Sequence, residues 1–208
     1  KLNKIVNGKK VIFFPLHMQP ELSTSLLGGQ FEDQILALEK LNSFAKNDWV
    51  IIAKEARLQT SYQRNDFFFK RVSALKNVFF IDKSEDSQKL LELSDITATV
   101  TGTIGFESLL ISKKCLIFGH AWYKKIHGSL FISDKTTNSE IDSFIKTKFD
   151  KSKFMNNLYS VILTCYDGVV SYDSDWEFHK NMVNNFDDRK NCEKVLENIK
   201  QFIESNYK

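Results

Sequence analysis

Five short apolar runs, at residues 11–16, 49–53, 77–81, 95–100 and 115–118, alternate with segments of helical character. Most of the runs are rich in Val, Ile and Phe and continuously apolar, and the run at 95–100, DITATV, carries only small Thr and Ala between Ile96 and Val100. A strand patterned in this way is buried on both faces, which is the signature of a parallel sheet covered by helices. Between the runs, Phe31, Ile35, Leu38 and Leu41 recur at helical spacing, and residues 66–75 form a second helix with Asp66 as its N-cap. Further helices are expected from Ser84 to Leu93, with Ser84 as cap, and over 104–111. Strand followed by helix, about five times over, predicts a doubly wound α/β domain. Beyond Phe118 the pattern changes to a polar-aromatic loop at 119–124, one last strand at 130–132, and helices at 139–148, 153–165 and 187–206. The expectation is a single Rossmann-like domain over 1–208 with a helical extension from about 137. Because the chain opens on Lys1, it is read as a piece of a longer, two-domain protein. The last helix carries Cys192, Val195, Leu196, Ile199, Phe202 and Ile203 on one side, so it is expected to pack partly outside the α/β core.

Composition narrows the classes of function. With 208 residues, 42% of them apolar, the chain can bury a sizeable core. The net charge of +3 is dispersed and no nucleic-acid-binding motif occurs, so no nucleic acid partner is expected. The densest basic segment, KTKFDKSK at 146–153, suits either a solvated helix end or peripheral contact with acidic lipid. Cys115, Cys165 and Cys192 have neither disulfide nor metal-ligand spacing, and His17, His120, His127 and His179 have no ligand spacing. No metal and no cofactor are expected. No run approaches the roughly 20 apolar residues of a membrane span. The expected location is the cytoplasm, with the inner face of the cell membrane as a possible place of work.

Chemistry is concentrated where the strands end. The segment TGTIGFE at 101–107 joins a strand to a helix. Free N–H groups and the helix dipole favour an anion at such a turn. Gly102 and Gly105 allow close approach to the backbone, Thr101 and Thr103 can cap the helix or bind phosphate, and Glu107 can accept from ribose hydroxyls. The segment is neither a P-loop nor a Gly-x-Gly-x-x-Gly fingerprint, and an ordinary Thr-capped turn fits the same residues. In open parallel sheets ligands sit beyond the carboxyl ends of the strands. Four loops should converge there, offering His17, Gln19 and Glu21; Lys54, Glu55 and Arg57; the 101–107 turn; and His120 and Tyr123. Lys54 and Arg57 would meet a phosphate. His17 and Glu21 lie on a loop restrained by Pro15 and Pro20. They read as an acid–base or acceptor-positioning pair, or as residues that fix the loop through backbone hydrogen bonds.

Several of these segments are familiar together. FFPLHMQPELST (13–24) resembles the opening strand and loop of the carboxyl-terminal half of bacterial capsule and surface-polysaccharide glycosyltransferases. IAKE (52–55) falls where that family carries Lys-Glu-His-Pro, NVFFI (77–81) resembles its next strand, and TGTIGFES (101–108) through KKCLIFG (113–119) resembles its nucleotide-binding unit. The resemblance covers about 11–125 and implies one half of a GT-B fold, with the active site in the cleft between two Rossmann-like domains. It further implies a nucleotide-sugar donor as substrate, a saccharide or glycolipid acceptor, and a partner amino-terminal domain. Thr101 and Thr103 would hold phosphate, Glu107 ribose, and His17 and Glu21 would face the cleft. The family's His-Pro is Ala56-Arg57 here; Arg57 can replace the charge but cannot act as an acid. A sugar-nucleotide epimerase of the same architecture, with Glu21 and Glu55 as in-cleft carboxylates, and a non-catalytic nucleotide-binding or assembly domain are the alternative readings.

Overall fold

A computed structural model describes residues 5–60, 64–168 and 187–206. Six parallel strands form one sheet: β1 (Lys10–Pro15), β2 (Trp49–Lys54), β3 (Val78–Ile81), β4 (Ile96–Thr99), β5 (Lys114–Ile117) and β6 (Ser129–Phe131). The spatial order is β3-β2-β1-β4-β5-β6. The helices are α1 (Leu22–Leu27), α2 (Gln34–Phe44), α3 (Asp66–Ser73), α4 (Ser87–Leu93), α5 (Thr103–Leu110), α6 (Asn138–Lys146), α7 (Lys151–Ile162) and α8 (Asp188–Asn206), with a 3-10 turn at Gly29–Glu32.

The uninterrupted apolar strands follow from two cores. Ile12 and Phe14 of β1 and Ile51 and Ala53 of β2 point to one face, where Ile35, Leu38 and Leu41 of α2 and Phe68 and Val72 of α3 cover them. Val11 and Phe13, with Val50 and Ile52, point to the other face, against Leu90 and Leu91 of α4 and Ile104 of α5. Each fully buried side chain of this size contributes about 1.5–3 kcal/mol, so a polar residue at any of these positions would be excluded on energy alone.

Boundaries shift where caps compete. Asn65, not Asp66, caps α3, its side chain accepting from Phe68 N–H. Asp86, not Ser84, caps α4, accepting from Gln88 and Lys89 N–H. The helix expected from Phe31 is divided at Asp33, which caps α2. The loop expected at 17–24 contains α1, whose start at Glu21 carries no side-chain cap bond and so gave no sequence signal. The chain divides into two compact units, Lys1–Asn157 and Leu158–Lys208. α6 belongs to the first unit, with Ile141 in the core and Lys46 paired to Asp142 at 2.8 Å. In the second unit no side chain of α8 is buried, and Leu196, Ile199, Phe202 and Ile203 are about half exposed.

Candidate functional site

β1 and β4 are parallel neighbours, paired at Ile12 with Ile96 and Phe13 with Thr97, and the strand order reverses between them. The carboxyl ends of the two strands therefore flank the crevice in which such sheets bind ligands. A hollow of about 180 Å³ lies there, lined by His17, Thr99, Gly102, Thr103 and Ile104 together with Pro15 and Leu16. Pro15 and Leu16 also line a larger cavity of about 650 Å³, continued by Lys54, Arg57, Lys83, Asp86 and Ser87.

The turn after β4 is built differently from expectation. Gly102 is the N-cap of α5, and no side chain caps the helix. Neither Thr101 nor Thr103 does so, because Gly102 occupies the cap and Thr103 is already helical; its Oγ1 donates to Glu107 Oε1 at 3.0 Å. Glu107 Oε2 accepts from Gln88 Nε2 at 2.7 Å, so this carboxylate bridges α5 and α4. Thr101 Oγ1 is buried and has no hydrogen-bond partner among the described residues. Gly102 is required sterically: a Cβ there would lie 2.9 Å from Thr99 Oγ1 and 3.0 Å from His17 Cε1.

His17 and its loop are held by side chains that sequence reasoning missed. Gln34 brackets the His17 backbone: its Oε1 accepts from His17 N–H at 2.8 Å and its Nε2 donates to His17 O at 3.1 Å. Arg64 donates to His17 O and to Gln19 Oε1, both at 2.7 Å, and grips Glu55 through Nε and Nη2 at 2.7 and 3.0 Å. Gln59 and Gln19 exchange two further bonds, Gln19 N–H to Gln59 Oε1 at 2.7 Å and Gln59 Nε2 to Gln19 O at 3.0 Å. The His17 ring lies 3.1 Å from Thr99 Oγ1 through Nε2, accepts from Thr101 N–H at 3.3 Å, and faces Glu21 Oε2 across 3.7 Å from Nδ1. Burial pushes the imidazole below its ordinary value of 6.5, with Arg64 acting in the same direction and Glu21 against it.

The remaining expected residues divide into those that line the cavities and those that support them. Lys54 is buried, donates to Ser87 Oγ at 2.7 Å and lines the larger cavity; Arg57 is exposed at its rim. Glu55 lines the larger cavity with its carboxylate paired to Arg64, and Gln19 is held by Arg64 and Gln59. Tyr123 is a correction: it is fully buried, its hydroxyl donates to Gly102 O, and burial pushes its phenol upward. Its hydroxyl supports the turn from beneath. His120 is exposed beside Lys124 and lines neither hollow; its Nδ1 is 2.5 Å from Lys124 Nζ. Among the described residues no group of three His, Cys, Asp or Glu side chains could hold a metal ion. No described helix is long and apolar enough to cross a membrane.

A doubly wound parallel sheet with its strand order reversing between β1 and β4 defines a Rossmann-like domain, here one half of a GT-B fold. Residues 7–160 match the family described as capsule polysaccharide biosynthesis protein, and the chain belongs to that family. Among solved structures, UDP-GlcNAc 2-epimerase from Methanocaldococcus jannaschii is similar at 12% identity and a TM-score of 0.52, over 77% of this chain and 48% of that one. The UDP-forming α,α-trehalose-phosphate synthase from Burkholderia vietnamiensis is similar at 9% identity and 0.50, over 78% and 41%. The KpsC β-Kdo 2,7 transferase of Thermosulfurimonas dismutans matches at 13% identity and 0.47, over 71% and 51%. This chain thus spans about half the length of those chains, or less. No curated protein sequence matches significantly.

Proposed function

We propose that this chain is the nucleotide-sugar-binding half of a glycosyltransferase that builds capsular polysaccharide. The observation that carries the reading is the uncapped start of α5 in the β1/β4 crevice, beside the unpartnered Thr101 Oγ1 and opening toward a cavity lined by Lys54, Arg57 and Lys83 alongside Glu55, Glu85 and Asp86. A diphosphate placed there would accept from the first-turn N–H groups of Thr103 and Ile104, where the helix dipole favours negative charge. Glu107 would accept from ribose hydroxyls, which would displace the exposed Gln88 amide. The nucleobase would enter the cavity between the loops after β2 and β3.

The reaction is attack of an acceptor hydroxyl on the anomeric carbon, with the nucleotide departing. Charge on the departing phosphate would be offset by the α5 start and by Arg57 and Lys54. The acceptor, a saccharide or glycolipid, and the catalytic base would come from the side of the partner amino-terminal domain, with the whole enzyme at the inner face of the membrane. The epimerase alternative loses one of its two carboxylates, since Glu55 is tied to Arg64. Calorimetric titration of the folded chain with UDP, CMP and their sugar conjugates tests the proposal. Binding of one nucleotide series is expected. No heat with any of them, from a chain shown to be folded, would favour a non-catalytic assembly domain instead.

A further inference from the structure

His17 is the residue in the crevice that most resembles a catalytic acid–base group, and the hydrogen bonds around it point elsewhere. Its backbone is fixed on both sides by Gln34 and again by Arg64, which sets the ring over the β4–α5 turn. The hydrogen-bond directions at the ring are then determined by elimination. A backbone N–H can only donate, so the Thr101 N–H facing Nε2 at 3.3 Å makes Nε2 the acceptor. Gly102 N–H donates to Thr99 Oγ1 at 3.0 Å, which leaves that hydroxyl its own proton to give, and Nε2 is 3.1 Å away. The Thr101 contact requires the single lone pair of Nε2, and the Thr99 hydroxyl, able to donate or accept, is compatible with it. The ring is therefore neutral, with its proton on Nδ1, toward the Glu21 carboxylate.

An imidazole in this state has no free lone pair for a substrate proton: the one on Nε2 is engaged by Thr101 N–H and Nδ1 is already protonated. Building on the reading that the turn takes a donor phosphate, we propose that His17 is a positioning residue, a neutral acceptor that locks Thr101 and Thr99 so that the N–H groups of Thr103 and Ile104 stay directed into the crevice. Protonation would place an N–H on Nε2 against the Thr101 N–H, and the lock would open. Two ionic groups face His17: Glu21, which favours the charged ring, and Arg64, which opposes it and is itself paired with Glu55. The groups that α2 and β4 present to His17, Gln34 and Thr99, do not titrate. Burial outweighs Glu21, so the ring remains neutral to below pH 6.5. The lock is intact above that pH and is lost as the pH falls through the His17 value. A group contacting phosphate as an acid gives the opposite sign, because an imidazolium attracts the anion.

The test has one arm that needs no ligand. In the ¹⁵N-labelled chain at neutral pH, imidazole spectra should show His17 protonated on Nδ1, and the Thr101 amide should be protected from hydrogen exchange. His17→Ala should lose that protection. His17→Gln, whose Oε1 reaches the same point and accepts at every pH, should restore most of it. In the second arm the probe is UDP-glucose, whose diphosphate does not titrate in the range used. Its affinity for the native chain should weaken by up to about tenfold per pH unit in the acid range, and His17→Gln should abolish that slope. A proton on Nε2, equal Thr101 exchange in native and His17→Ala chains, or affinity that rises on acidification would each overturn the proposal. An Nδ1 proton and a protected Thr101 with no UDP-glucose binding would support the lock and count against the nucleotide reading.

Discussion

Replacing Arg64 by Met removes the clamp that joins the loops after β1 and β2, and the expected loss can be worked from its contacts. The guanidinium makes four hydrogen bonds: two to Glu55, one to Gln19 Oε1 and one to His17 O, at 2.7–3.0 Å. It also stacks over the Phe68 ring at 4.6 Å. The Arg64 side chain is 3% exposed and that of Glu55 11%. Removing the cation therefore strands a carboxylate that water barely reaches, with the Ala56 N–H at 3.1 Å as its remaining donor among the described residues. Breaking a buried pair in this way costs about 3–5 kcal/mol, whereas removing both charges costs much less. With a urea slope of about 2 kcal/mol per M, Arg64→Met should lower the unfolding midpoint by about 1.5–2.5 M. The double variant Glu55→Gln with Arg64→Met should recover a large part of that loss. A loss under about 1 kcal/mol for Arg64→Met, or single losses that add in the double variant to within about 0.5 kcal/mol, would refute the claim that these charges act as one unit.

Three further outcomes follow from the same turn. Gly105→Ala should destabilise the chain by about 1–3 kcal/mol in urea, because a Cβ there collides with the Tyr123 hydroxyl and lies 2.8 Å from Cys115 Sγ. Tyr123→Phe should cost about 0.5–1.5 kcal/mol in thermal unfolding, since the Gly102 carbonyl loses the hydroxyl and keeps the longer Gly105 N–H at 3.3 Å. Glu107→Ala should weaken nucleotide binding by about 1–3 kcal/mol in calorimetry, and unchanged affinity in the folded variant would remove the ribose assignment.

Much of the sheet was legible because burial on both faces writes itself into contiguous residues. Val11, Ile12, Phe13 and Phe14 are all apolar for this reason, although they serve two different cores. The placement of the 101–107 turn at the end of a buried strand was legible in the same way. Its mechanics were not. Arg64 and Gln34 reach His17 from 47 and 17 residues away, and single polar residues joined only by tertiary packing leave no periodic trace. Tyr123 read as a ligand contact because an aromatic residue in a loop after a strand has the same local sequence whether its ring turns toward the crevice or beneath the glycines. Caps moved by one or two residues because Asn65 and Asp66, or Ser84 and Asp86, are both competent, and only the backbone trajectory selects between them. Glu55 lost its free carboxylate to a partner outside any motif.

The central claim is where a nucleotide sits, and amide chemical-shift mapping tests it most directly. On titration with the nucleotide sugar that binds, the ¹⁵N–¹H resonances of Thr103 and Ile104, and those of residues 83–87 beside the larger cavity, should move together along one saturable curve. A third hollow of about 340 Å³ lies at the opposite, amino-terminal edge of the sheet, lined in part by Lys10, Asp95 and Lys113. Shifts confined to that edge, with Thr103 and Ile104 unmoved at saturation, would contradict the account.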